Sequence, residues 1–147
     1  MTGGSILIVC AANVCRSPLA ELALRRGLGE GSAFVVRSAG VRANDGDPIC
    51  AEVAARHTDE GWQAQSRAHR AQEVTPEMLA EADLVLTASR DVRGELVRGA
   101  PEHRDRMFTL REAAHLGIGF PSGGSDVVAD YLAYLDRART RAVPLGA

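Results

Sequence analysis

Ile6-Leu7-Ile8-Val9 is an uninterrupted aliphatic run, the pattern of a strand buried on both faces of a parallel sheet. Helix signals follow almost at once. Ser17 suits a cap, Pro18 suits the first helical position, and Leu19, Leu22, Ala23 and Leu28 form an apolar stripe ending in the glycine-rich stretch 27–31. A second strand is expected over Phe34–Ser38, followed by the turn-forming Asn44-Asp45-Gly46-Asp47-Pro48 and a helix from Ile49 to Glu60. Thr75-Pro76 opens another helix, Asp83–Thr87 reads as a third strand, Arg90–Val97 as a helix and Met107–Leu110 as a short fourth strand. Gly117–Gly124 reads as a loop. A last helix is expected from about Ser125 to Arg141, with Val128, Leu132 and Leu135 on one side.

Strands and helices alternating in this order predict an α/β fold: a single three-layer domain over residues 1–147, with a doubly wound parallel sheet of about four strands and helices on both faces. Ligands of such sheets bind at the carboxyl ends of the strands. The first such end is Cys10.

Composition changes this picture little. The chain has 147 residues, 46% of them hydrophobic, enough for one buried core without disulfides or a metal. A formal net charge of −2 argues against nucleic acid or an anionic membrane as partner, so any anion binding must be local. The start of the chain lacks a basic secretory segment and no apolar run reaches spanning length, which places the protein in the cytoplasm. Three cysteines, an odd number, suit free thiols in a reducing compartment. Their spacing supplies no four-ligand zinc set, and neither metal nor cofactor is expected.

The chemistry concentrates in Cys10-Ala11-Ala12-Asn13-Val14-Cys15-Arg16-Ser17, between the buried strand and a helix N-terminus. A loop of this length can turn successive backbone N–H groups inward, where the helix dipole adds positive potential. Residues 11 to 16 would thus cradle a tetrahedral anion, and the planar fork of Arg16 would grip two of its oxygens. Cys10 would lie beneath the phosphorus. The inward amides, Arg16 and a hydrogen bond from Ser17 favour a nucleophilic sulfur that can accept a phosphoryl group in line. Taken singly, Cys10 could be a small buried strand-end residue and Arg16 a solvated helix-start charge. Their occurrence with Asn13, Ser17 and Pro18 at one junction favours the functional reading.

Leu7 to Pro18 closely resembles the signature of the low molecular weight protein tyrosine phosphatases, Cys-x-Gly-Asn-x-Cys-Arg-Ser-Pro. Similarity continues through Ser38-Ala39-Gly40, His69 before Val74-Thr75, Ala82 to Leu86 and Phe108 to Glu112. The resemblance implies Cys10 as nucleophile, Arg16 as phosphate clamp, Ser17 as stabiliser of the thiolate and Asn13 as keeper of the loop's shape, supported by Ser38 and His69. It also implies that Cys15 can pair with Cys10 and spare it from irreversible oxidation. Cys50 has no partner by spacing and reads as core.

Three departures stand out. The family's Asp-Pro pair, which supplies the general acid, is matched by Phe120-Pro121, so Phe120 replaces the acid and Asp126 or Asp130 is left as a surrogate. Ala12 stands where the family has glycine, and the aromatic pocket walls are missing, with Ser122, Ala43 and Asn44 in their places. Val14 resembles the aliphatic residue of the tyrosine-specific members more than the threonine of the arginine-phosphatase branch. The expected function is therefore a phosphomonoester hydrolase working through cysteinyl phosphate on a phosphorylated protein or small phosphate ester, weakened by Phe120. The alternative is an impaired module that only binds phosphate or a phosphoprotein. Arsenate reduction ranks last, because after Cys15 only Cys50 remains to relay a disulfide.

Overall fold

The computed structural model describes residues 4–116. Strand β1 (Ser5–Cys10) lies inside a four-stranded parallel sheet with β2 (Val35–Gly40), β3 (Leu84–Thr87) and β4 (Met107–Thr109), in the order β2-β1-β3-β4. The chain first crosses outward from β1 to β2, then returns over β1 to β3. The strand order therefore reverses between β1 and β3, and the crevice at such a switch point is where these sheets take ligands. Cys10 ends β1 at that crevice.

Both faces of the sheet are covered, as its apolar runs require. On one face Ile6, Ile8, Leu86 and Phe108 pack with Ala20 and Leu24 of α1 (Arg16–Leu28) and with Ala113. The chain between the second and third strands carries α2 (Ala51–Ala54), α3 (Glu60–Ala68) and α4 (Pro76–Glu81). Helix α5 (Arg90–Gly99) follows β3, and α6 (Leu110–Leu116) follows β4 and supplies Ala113. On the other face Leu7, Val9, Val85 and Met107 meet Leu79 of α4 with Val92 and Leu96 of α5. Ile8, Val9, Val85, Met107 and Phe108 are wholly buried. Each such side chain contributes about 1.5–3 kcal/mol, so β1 is held firmly and Cys10 with it.

The strands fall close to expectation, and the helices differ in three instructive places. The expected stripe of α1 faces the core only in part: Leu22 is buried with Leu19 packed beside it, but Ala23 is exposed and Leu28 is 38% exposed, while Pro18 and Glu21 are buried. A carboxylate occupies the centre of the inward face because it has partners there, and that breaks the apolar period. Ser17 does not cap α1, because its hydroxyl is turned to Cys10; Cys15 stands at the cap position with no side-chain hydrogen bond. The helix expected over 49–60 shrinks to the four residues of α2, and a separate helix, α3, begins only at Glu60. Asp59 takes extended backbone and accepts from the Trp62 N–H, which starts α3 afresh. The buried Trp62 then packs on Leu22 and Val53 and donates through Nε1 to the Val53 carbonyl. Asp-Glu ahead of a bulky apolar residue was a legible cap signal. No helix among the described residues is long and apolar enough to cross a membrane.

Candidate active site

Cys10 is 2% exposed, and its sulfur is met by two groups. The backbone N–H of Asn13 donates to Sγ at 3.2 Å, and Ser17 Oγ lies 2.9 Å from it. Ser17 Oγ already accepts from Asn13 Nδ2 at 2.9 Å, so its own hydrogen is free for the sulfur; the other acceptor in reach, the Ala39 carbonyl, is 3.4 Å away. Once Cys10 is a thiolate, an O–H and an N–H both point at its charge.

Asn13 organises the loop. Its second Nδ2 hydrogen goes to Ser38 Oγ at 2.9 Å, its Oδ1 accepts from the Gln72 N–H at 3.0 Å, and its backbone carbonyl accepts from His69 Nε2 at 2.8 Å. That contact puts the imidazole proton on Nε2. Asn13 is fully buried with φ +58 and is the only non-glycine residue with positive φ among the described residues. Asparagine tolerates this left-handed geometry better than other residues with a Cβ. Ala12, where a strain was conceivable, carries none of it.

The network continues behind the loop. Ser38 Oγ donates to Glu21 Oε1, while Glu21 Oε2 pairs with Arg25, which also donates to the Val36 carbonyl at 2.7 Å. Gln72 Nε2 donates to the Ser38 carbonyl at 3.0 Å. Gly40, beside Cys10 in the sheet register, allows the loop to approach: a Cβ there would lie 2.4 Å from the Ala11 carbonyl oxygen. On the solvent side Arg16 is the first residue of α1, exposed, with no hydrogen-bond or ion-pair partner among the described residues.

The family model described as low molecular weight phosphotyrosine protein phosphatase matches residues 5–125. The chain belongs to this phosphatase family. Among its relatives is a probable low molecular weight protein-tyrosine-phosphatase EpsP of Ralstonia nicotianae, 35% identical over 120 residues, which cover 80% of this chain and 77% of that one. A protein-arginine-phosphatase of Bacillus subtilis is also 35% identical, over 127 residues covering 82% and 81%. Solved structures of the same shape include the YwlE arginine phosphatase of Geobacillus stearothermophilus, with TM-score 0.65, 26% identity and coverage of 93% and 86%. Another is a Cys-to-Ser variant of YwlE with a phosphorylated active-site serine, with TM-score 0.60, 25% identity and coverage of 92% and 89%.

Within this phosphatase frame, the structure brings together Cys10, Asn13, Ser17, Ser38 and His69, and it places Ala11, Ala12, Val14, Cys15 and Arg16 along the same loop. Phe120, Asp126 and Asp130 lie outside the described residues. The cysteine expectations need correction. Cys15 is bridged to Cys50, with Cα atoms 5.5 Å apart, and Cys10 is the free thiol. Neither the assumption of three free thiols nor the reading of Cys50 as plain core holds. The physical reason is that the 41–50 connection folds back on the loop, where the Cys50 N–H donates to the Val14 carbonyl at 2.8 Å. Sequence reading also missed Glu21, Gly40 and Gln72. Gln72 reaches the loop from 59 residues away, with no spacing to reveal it. Gly40 followed directly from the quoted Ser-Ala-Gly.

Proposed function

We propose that the chain hydrolyses phosphate monoesters of phosphorylated proteins, with an oxygen ester of the tyrosine type as substrate class. The observation that carries this reading is the sulfur of Cys10 facing two hydrogen-bond donors at the uncapped N-terminus of α1, where Arg16, the first residue of that helix, has no partner among the described residues. The Cys10 thiolate attacks phosphorus, an S–P bond forms, and the ester oxygen leaves with its electron pair. Arg16 and the loop amides hold the equatorial oxygens. Water then attacks phosphorus, the S–P bond breaks, and inorganic phosphate and the thiolate are regenerated. Ser17 serves both steps, because a thiolate is attacking group in the first and leaving group in the second. Asn13 holds Ser17 and the loop, with Ser38 and His69 behind it.

A relative phosphorylated on the active-site residue that replaces its cysteine supports a covalent phosphoryl intermediate. Arginine phosphatases also stand among the relatives. The choice of an oxygen ester rests on Val14, whose aliphatic side chain offers no hydroxyl to a guanidino group.

The general acid is the weak part of the machinery: on the family's sequence register Phe120 replaces it, and Asp126 is the surrogate carboxylate. A missing acid slows turnover by roughly 10²- to 10⁴-fold on poor leaving groups and little on good ones. Turnover of an activated and an unactivated aryl phosphate, compared in wild type and in Phe120→Asp, tests this. The expected result is a steep leaving-group dependence in wild type that Phe120→Asp relieves. Phosphate or vanadate binding without turnover of either ester would replace the hydrolase with a phosphate-binding module. Equal turnover by Cys10→Ala and wild type would end the reading altogether.

A further inference from the structure

We propose that Cys15 and Cys50 form a thiol-oxidation site that protects the nucleophile: peroxide is consumed in closing the Cys15–Cys50 bridge, and Cys10 stays reduced. The inference rests on the hydrolase reading only for its activity readout. Three observations carry it. The bridged pair is Cys15 and Cys50, leaving Cys10 as the free thiol. Cys15 lies on the exposed side of the loop, with Cys50 partly buried beside it, whereas the Cys10 sulfur sits at the base of the loop against the Asn13 N–H and Ser17 Oγ. The backbone holds the two partners in place, through the Cys50 N–H to Val14 carbonyl bond and a Cα separation of 5.5 Å, inside the range a disulfide needs.

The chemistry balances. Cys15 thiolate attacks one oxygen of hydrogen peroxide; the O–O bond breaks, hydroxide leaves and takes up a proton, and Cys15 becomes a sulfenic acid. Cys50 thiolate then attacks the Cys15 sulfur, the S–O bond breaks, and a second hydroxide leaves to become water. Two thiols and one peroxide give one disulfide and two waters, with two electrons passed from sulfur to oxygen. A sulfur bonded to Cys50 cannot also bond Cys10. The closed bridge therefore excludes the cross-link between the two loop cysteines that would silence the nucleophile. It also ties the loop to the 41–50 connection and leaves the hydrogen bonds of Asn13 intact.

The test treats the reduced wild-type chain and Cys50→Ser with one equivalent of hydrogen peroxide, then maps disulfides by proteolysis and mass spectrometry and assays an activated aryl phosphate. The expected map in wild type links Cys15 to Cys50 with Cys10 as free thiol, and activity stays within twofold. In Cys50→Ser, Cys15 is left to cross-link to Cys10, and activity falls more than tenfold until a dithiol reductant restores it. A wild-type map showing Cys10 linked to Cys15, or Cys10 over-oxidised with Cys50 still a thiol, overturns the proposal, as does a Cys50→Ser protein that keeps wild-type resistance. The wild-type map needs no variant to fold. It also decides the pairing if no ester is hydrolysed, which would count against the hydrolase reading alone.

Discussion

Two neighbouring strands of the same sheet, β1 and β3, each deliver the chain to a helix at the same edge, and the two junctions are finished in opposite ways. At the β3–α5 junction, Ser89 Oγ accepts from the Val92 N–H at 3.2 Å, and Thr87 Oγ1 donates to the Ser89 carbonyl at 3.0 Å. That helix end satisfies itself. At the β1–α1 junction no side chain caps the helix, and the nearest hydroxyl, Ser17, is directed to the Cys10 sulfur. Helices α3 and α4 are capped too, by Asp59 and Thr75. Orphan amides and a dipole left open at a strand's carboxyl end are what an anion needs. The polar side chains that could have closed the junction instead hold the loop in shape from behind. Stability is built at one junction and withheld at the other, and the withheld one has the sulfur.

This contrast can be broken most severely at Asn13. Asn13→Ala strands the partly buried Gln72 N–H, at about 1 kcal/mol or more, leaves Ser38 Oγ with its bond to Glu21 alone, and forces alanine to φ +58, at about 1–2 kcal/mol more. Denaturant unfolding is expected to show a loss of about 2 kcal/mol or more, and kcat/KM to fall by about 10²-fold or more. Asn13→Gly removes the same hydrogen bonds without the backbone strain. It should recover part of the stability and none of the activity. Equal stability for the two variants would show that the left-handed geometry costs nothing.

Ser17→Ala and Ser89→Ala set the two junctions against each other. A hydrogen bond to a charged group contributes about 1.5–3 kcal/mol, so Ser17→Ala is expected to lower kcat by roughly 10- to 100-fold, while the Tm changes far less than activity does. Ser89→Ala removes a cap, at about 1 kcal/mol, lowering the Tm by several degrees with kcat/KM unchanged. Circular-dichroism melts and an aryl phosphate assay on both variants check the pair. Loss of activity in Ser89→Ala would erase the distinction between the junctions.

The smallest effect concerns a capped helix away from the site. The Arg26 side chain, and then the Trp62 N–H, hydrogen-bond the Asp59 carboxylate and hold its pKa below the ordinary 3.8. A depressed folded-state value means that the contribution to stability is complete above the ordinary carboxylate range and lost as pH falls through the lowered value. Asp59→Asn should flatten the acid limb of the melting curve below about pH 4 and leave neutral-pH turnover untouched. Melts across the acid range check it.

Much of this arrangement was legible in the residues. The aliphatic run ahead of Cys10 dictated a buried parallel strand, and the loop through Ser17 and Pro18 announced a helix start with a cysteine at its base. Thr75-Pro76 was read as a cap, and Thr75 accepts from the Met78 N–H. What local pattern could not carry was long-range satisfaction. Glu21 on the inward face of α1 looks like an error of periodicity until Ser38 and Arg25 are placed around it. Gln72 and Cys50 become part of the loop's surroundings only through the path of the 41–72 connection, which no spacing rule encodes. Ser17 was recognised as the hydroxyl for the sulfur and, separately, as a cap. One hydroxyl cannot do both, and the structure decides for the sulfur.

The central claim is that the open helix end lets Cys10 take a phosphoryl group. An activated aryl phosphate mixed with the reduced protein, quenched in acid within the first turnover and digested for mass spectrometry, tests it most directly. One phosphoryl group on the peptide that contains Cys10, absent from Cys10→Ala, is the predicted result. Hydrolysis that proceeds with that peptide unmodified, or a label that persists in Cys10→Ala, would contradict it.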